Sequence, residues 1–119
     1  MSPRILLVMP EQWPRALLRA ELIERGYDAV GAVDLLDALV YRSEEEERGP
    51  VRVIVMDEAA VVGPATGTLQ LLLRKHGNPE VLLLHSPSLE TPSGRWTEVI
   101  ERPVTIGEIA AAVGRWVAP

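Results

Sequence analysis

The chain has 119 residues, 47% of them hydrophobic, with no cysteine, no phenylalanine and a net charge of −5. It is long enough for one domain over residues 1–119 with a core of Leu, Val, Ile and Ala, and it excludes disulfides, thiolate metal sites and cysteine nucleophiles. The acidic balance, without a Lys/Arg stripe, argues against nucleic acid, and no apolar run is long enough for a membrane span or signal core, so a cytoplasmic location is expected.

Residues 4–9 (RILLVM) read as a buried strand stopped by Pro10. Pro14 fits a first helical turn, where its missing N–H is not needed. The helix it opens carries Leu17, Leu18, Leu22 and Ile23 and stops at Gly26. Residues 27–33 form a second strand, weakened by Gly31. Asp34 is the N-cap of a helix carrying Leu35, Leu36, Ala38, Leu39 and Val40. That helix runs into the acidic block 44–47, whose carboxylates oppose the helix dipole and predict a frayed, solvated end and a candidate docking site.

Residues 51–57 (VRVIVMD) form the central strand, bounded by Gly49-Pro50 and Gly63-Pro64 and ending in Asp57. A turn-rich VVGPATG leads to a short helix, LQLLLRKHG, with His76 in its last turn, where an imidazolium suits the dipole. Gly63, Gly67, Thr66 and Thr68 match no phosphate-loop spacing. Residues 81–85 (VLLLH) are a fourth strand. Residues 86–95 offer no apolar face and read as loop, and Ser86, Ser88 and Ser93 fit no nucleophile elbow. Residues 97–101 are a short fifth strand. Thr105 and Glu108 have capping-box spacing before a helix with an apolar stripe of Ile106, Ile109, Ala110, Val113, Trp116 and Val117.

This alternation implies a doubly wound α/β fold: a five-stranded parallel sheet with right-handed crossovers. Ligand crevices in such sheets lie outside the carboxyl ends of the strands. Asp57 would stand at that mouth, with His85 and Ser86 near it and Trp13 capping the first helix against it.

The order and spacing of RILLVMPE, YDAVGAVDLLDALV, VIVMDEA and ERPVTIGEIAAAV resemble the receiver domain of bacterial response regulators along essentially the whole chain. The resemblance implies a flavodoxin-like 2-1-3-4-5 sheet, with the fourth helix shortened or replaced by loop, and a role in signal transduction. It makes Asp57 the match of the phosphoacceptor aspartate, and places a cis peptide at Arg102-Pro103. The family's metal-binding acidic pair falls on Met9 and Pro10, leaving only Glu11 as a following acid. Its lysine is matched by Arg102, which keeps the charge but differs in size and geometry. The switch hydroxyl falls among Leu84, His85 and Ser86, and the aromatic switch position holds Val99.

Mg²⁺ requires oxygen ligands in tight octahedral geometry, and phosphoryl transfer depends on that charge neutralisation. The expected function is therefore a pseudo-receiver: a non-enzymatic module without cofactor or metal, acting by protein–protein contact rather than aspartyl phosphorylation. Asp57 is expected to pair with Arg102. Trp96, Val99 and Trp116 are the candidate interface, through which the fifth strand and last helix meet a protein partner or a second copy. Two alternatives stand beside it. One is a single-domain response regulator phosphorylated on Asp57 by a histidine kinase, with Mg²⁺ recruited through Glu11 and water. The other is a flavodoxin-like domain binding a small ligand in the crevice.

Overall fold

The computed structural model describes residues 2–42, 44–45, 48–61 and 66–119. In chain order the strands are β1 (Arg4–Val8), β2 (Asp28–Ala32), β3 (Glu44–Glu45), β4 (Gly49–Asp57), β5 (Glu80–His85) and β6 (Glu98–Glu101). The helices are α1 (Gln12–Glu24), α2 (Leu35–Ala38), α3 (Thr66–Lys75) and α4 (Ile106–Trp116). Five strands pair in parallel in the order β2-β1-β4-β5-β6, which is 2-1-3-4-5 once the two-residue β3 is set aside. No described helix is long and apolar enough to cross a membrane.

Side chains alternate across the sheet, so β4 feeds two cores. Val53 and Val55 pack with Leu18 and Leu22 of α1 and Ile109 and Val113 of α4. Ile54 and Met56 pack on the opposite face with Leu35 of α2 and Leu69 and Leu72 of α3. This is why the central run is apolar at consecutive positions. The expected capping box at α4 forms its first half: Thr105 Oγ1 accepts the Glu108 N–H at 3.1 Å, and its hydroxyl donates to the Glu108 carboxylate at 3.0 Å.

The second helix departs from expectation. Asp34 caps it, accepting the Asp37 N–H at 2.8 Å, but it lasts one turn and never reaches the acidic block. The following carbonyls are claimed from elsewhere. Lys75 Nζ donates to the Leu39 carbonyl, and the buried Arg4 guanidinium donates to that of Arg42 at 2.7 Å. The acidic block supplies β3, which pairs antiparallel with Gly49 and Pro50. Glu46 and Glu47 lie outside the described residues, as does the 62–65 segment with Gly63.

His76 also corrects the expectation of an imidazolium at the helix end. Its ring is buried, and neither nitrogen has a hydrogen-bond partner among the described residues. Burial, reinforced by the neighbouring Lys75 and Arg4 charges, pushes its pKa below the usual 6.5. The unfolded chain thus accepts a proton that the folded chain refuses, so stability is full above about pH 6.5 and declines as pH falls toward the depressed folded value. The thermal midpoint of the native chain should drop by a few degrees between about pH 7.5 and about pH 5.5, and His76→Leu should flatten that slope. Scanning calorimetry at matched ionic strength measures both.

Candidate functional site

β4 delivers two consecutive carboxylates to the carboxyl edge of the sheet. Asp57, its last residue, is 9% exposed. Its Oδ1 accepts the Ala59 N–H at 2.9 Å, a local turn that opens the single 3₁₀ turn Glu58–Val61. Its Oδ2 accepts from Arg102 Nη2 at 2.6 Å. Arg102 reaches it because its backbone N–H extends the ladder past β6 to the His85 carbonyl at 2.8 Å, and the Arg102-Pro103 peptide is cis, as expected. The ion pair therefore spans β5, tying the end of β4 to the segment after β6.

Glu58 forms a second pair, which sequence reasoning missed. It is 5% exposed, its two oxygens each accept the Ser86 N–H at 3.0 Å, and His85 Nδ1 bonds to Oε2. With a carboxylate on Nδ1, the proton resides on that nitrogen, leaving Nε2 to meet Thr91 Oγ1 at 3.3 Å. Burial alone would raise the Glu58 pKa, but the bonds from His85 and Ser86 outweigh it and hold the carboxyl below its usual range. The signal lay in the register: Asp57 sits opposite Leu84, so the next acid falls beside the next residue, a histidine.

The positions matching the acidic pair sit differently. Met9 is buried in the core beneath α1, and its N–H continues the ladder to the Ala32 carbonyl at 3.0 Å. Pro10 and Glu11 are exposed, and Glu11 precedes α1 without a side-chain cap bond. Arg15 Nη1 donates to the Met9 carbonyl at 2.7 Å and lies within 3.4 Å of that of Pro10. Its aliphatic stem crosses Gly31, where a Cβ would come within 3.0 Å of Arg15 Cδ. The glycine that weakens the strand pattern thus makes room for an arginine.

A cleft of about 720 Å³ opens here, with Glu11, Asp57, Glu58, Ser86 and Arg102 as its polar part. Pro14, Leu17, Leu89, Val104 and Ile106 supply its apolar walls. Trp13, expected to close the mouth, is 72% exposed and lies outside the lining.

A Mg²⁺ ion does not fit this donor set. Both Asp57 oxygens already accept hydrogen bonds, the Met9 carbonyl is held by Arg15, and Met9 and Pro10 bring no anionic oxygen. Among the described residues, no three His, Asp or Glu side chains gather as a metal site.

No family model matches the chain, and no curated protein matches its sequence. Solved structures do. A response-regulator receiver domain protein from Bacillus halodurans is 18% identical, with a TM-score of 0.75 and coverage of 100% of both chains. The non-phosphorylated HemR receiver domain from Leptospira biflexa is 20% identical, with a TM-score of 0.73 over 99% of this chain and 98% of that one. A third, the receiver domain of a Pseudomonas aeruginosa sensor histidine kinase with magnesium coordinated in its active-site cleft, is 17% identical, with a TM-score of 0.72 and 98% coverage of each chain. The fold is that of receiver domains. At these identities the chemistry must be argued from the residues themselves.

The candidate interface residues divide. Val99 and Trp116 are 40% and 43% exposed on β6 and α4. Trp116 Nε1 donates to Glu98 Oε1 at 2.9 Å, and Arg115 also bonds Glu98, which fixes the indole on this face. Trp96, expected to be exposed, is half-buried against the α2/α3 core. Its Nε1 donates to the Pro92 carbonyl at 2.8 Å, and its ring fills the space a Cβ at Gly94 would need, at 2.5 Å. The loop 86–97 carries no helix and closes on this indole instead.

Arg102 is one-third exposed, so solvent screens its pair with Asp57. Arg102→Ala should lower the unfolding free energy by about 1–2 kcal/mol, less than for a wholly buried pair. The Asp57→Asn, Arg102→Ala double variant should be less destabilised than the sum of the single variants. Urea titrations of the four proteins measure the coupling.

Proposed function

We propose that this chain is a receiver-like signal-transduction module that works by protein–protein contact and not by phosphorylation of Asp57. One observation carries the reading: both oxygens of the carboxylate that would accept a phosphoryl group are already engaged, Oδ1 by the Ala59 N–H and Oδ2 by Arg102. Attack by an aspartate on a phosphodonor needs a free oxygen and a cation to neutralise the transferring group. Among the described residues, the cation paired with Asp57 is the Arg102 guanidinium, and the flanking positions hold a buried thioether and an imino-acid ring. The module needs no cofactor and performs no catalysis in this reading.

The interface we assign is the β6/α4 face with Val99 and Trp116, taking a protein partner or a second copy of the chain. Trp96 serves it indirectly by closing the preceding loop. A tethered, half-exposed tryptophan is the kind of anchor that concentrates binding energy.

Two measurements test the reading. Incubated with Mg²⁺ and acetyl phosphate, the protein should gain no phosphoryl adduct by intact mass. A stoichiometric adduct abolished by Asp57→Asn would instead establish a working, metal-dependent regulator, with Glu11 at the cleft rim as the remaining acid. In sedimentation velocity, any self-association of the native chain should weaken by about tenfold or more in the Val99→Glu variant.

A further inference from the structure

Glu58 is a buried carboxylate met by one backbone N–H and one imidazole, with no lysine or arginine bonded to it among the described residues. Arg102, the cation of this cleft, is bonded to Asp57. The donors around Glu58 belong to another segment: the Ser86 N–H, just past the end of β5, and His85 Nδ1 converge on one point. Thr91 holds the far side of the imidazole ring. Convergent backbone and imidazole donors at a strand end form a receptor for an anion, whatever chain supplies it. Glu58 and Ser86 also line the same open cleft of about 720 Å³, so solvent has a path to that point.

We propose that the carboxyl end of β5 is an anion-binding site for a carboxylate or phosphate group, which the chain fills with its own Glu58 side chain. Glu58 is then a permanent internal ligand that latches β4 to the loop after β5 and keeps that loop in one arrangement. This inference rests on the phosphorylation-independent reading above and supplies its physical content: the loop leading to Trp96 and β6 is set by an anion that never leaves. The low Glu58 pKa agrees, since it means the folded chain favours the ionised form.

Removing the side chain should uncover the receptor. In Glu58→Ala the Ser86 amide should exchange with solvent about tenfold faster than in the native chain, and the thermal midpoint should fall. Sodium formate or inorganic phosphate, added against chloride at constant ionic strength, should restore both in a saturable way and shift the Ser86 and His85 resonances. The native protein, already occupied, should not respond. Glu58→Gln keeps the shape without the charge; it should fold, show the faster Ser86 exchange, and gain nothing from added anions because its amide fills the site. The proposal is overturned if Glu58→Ala responds to these anions no more than the native chain does, or if Glu58→Gln matches the native chain in stability and exchange. Should the alanine variant not fold in chloride or in formate, the glutamine comparison alone decides. A phosphoryl adduct on native Asp57 would sink the parent reading without touching the rescue experiment, whereas failed rescue with Asp57 still unmodified would sink this one alone.

Discussion

Two adjacent carboxylates at the end of a buried strand are the constraint on which this molecule turns. An ionised group removed from water without a partner is costly enough to unfold a small domain, so each acid must recruit donors from elsewhere in the chain. Asp57 recruits Arg102 from beyond β6, and Glu58 recruits His85 and the Ser86 amide from the end of β5. The three strands on this side of the sheet are therefore pinned at their carboxyl ends by charge as well as by the ladder. The charged groups of the cleft thus hold the strand ends together.

Much of this was legible in the residues. The apolar run of β4, the capped start of the last helix and the helix-free stretch after β5 follow from period, capping chemistry and composition, and the sheet order followed from the resemblance those segments carry. The Asp57–Arg102 pair was legible too, because both residues sit at strand ends on the same edge. What escaped was set by long-range claims on backbone groups. No local pattern announces that Lys75 and Arg4 will take the carbonyls that would have continued α2. Nor does any pattern say that Gly94 leaves room for Trp96 to fold back under its own loop. His76 was misjudged for a related reason: a helix-end histidine looks suited to a positive charge until its burial and the nearby Arg4 of β1 are known.

The surface at β6 and α4 shows the same economy of donors. Burial would raise the Glu98 pKa, but the bonds from Arg115 and Trp116 lower it, so one carboxylate orients two neighbouring side chains of the last helix. The Trp116 indole is thereby held in one place beside Glu98 on the edge strand. A surface arranged in advance loses less freedom on meeting a partner than one that must order itself at contact.

The hold of Arg15 on the first loop has a bearing on ancestry and on redesign. Its stem lies across Gly31 and its guanidinium is committed to the carbonyls of residues 9 and 10. Acids grafted at those two positions would meet this arginine before they met any divalent ion, and the first of them would have to be dug out of the hydrocarbon interior that Met9 now completes. Installing an acidic pair there is accordingly not a two-residue step. It would require displacing a cation, refilling the space above a glycine and repacking one layer of the core.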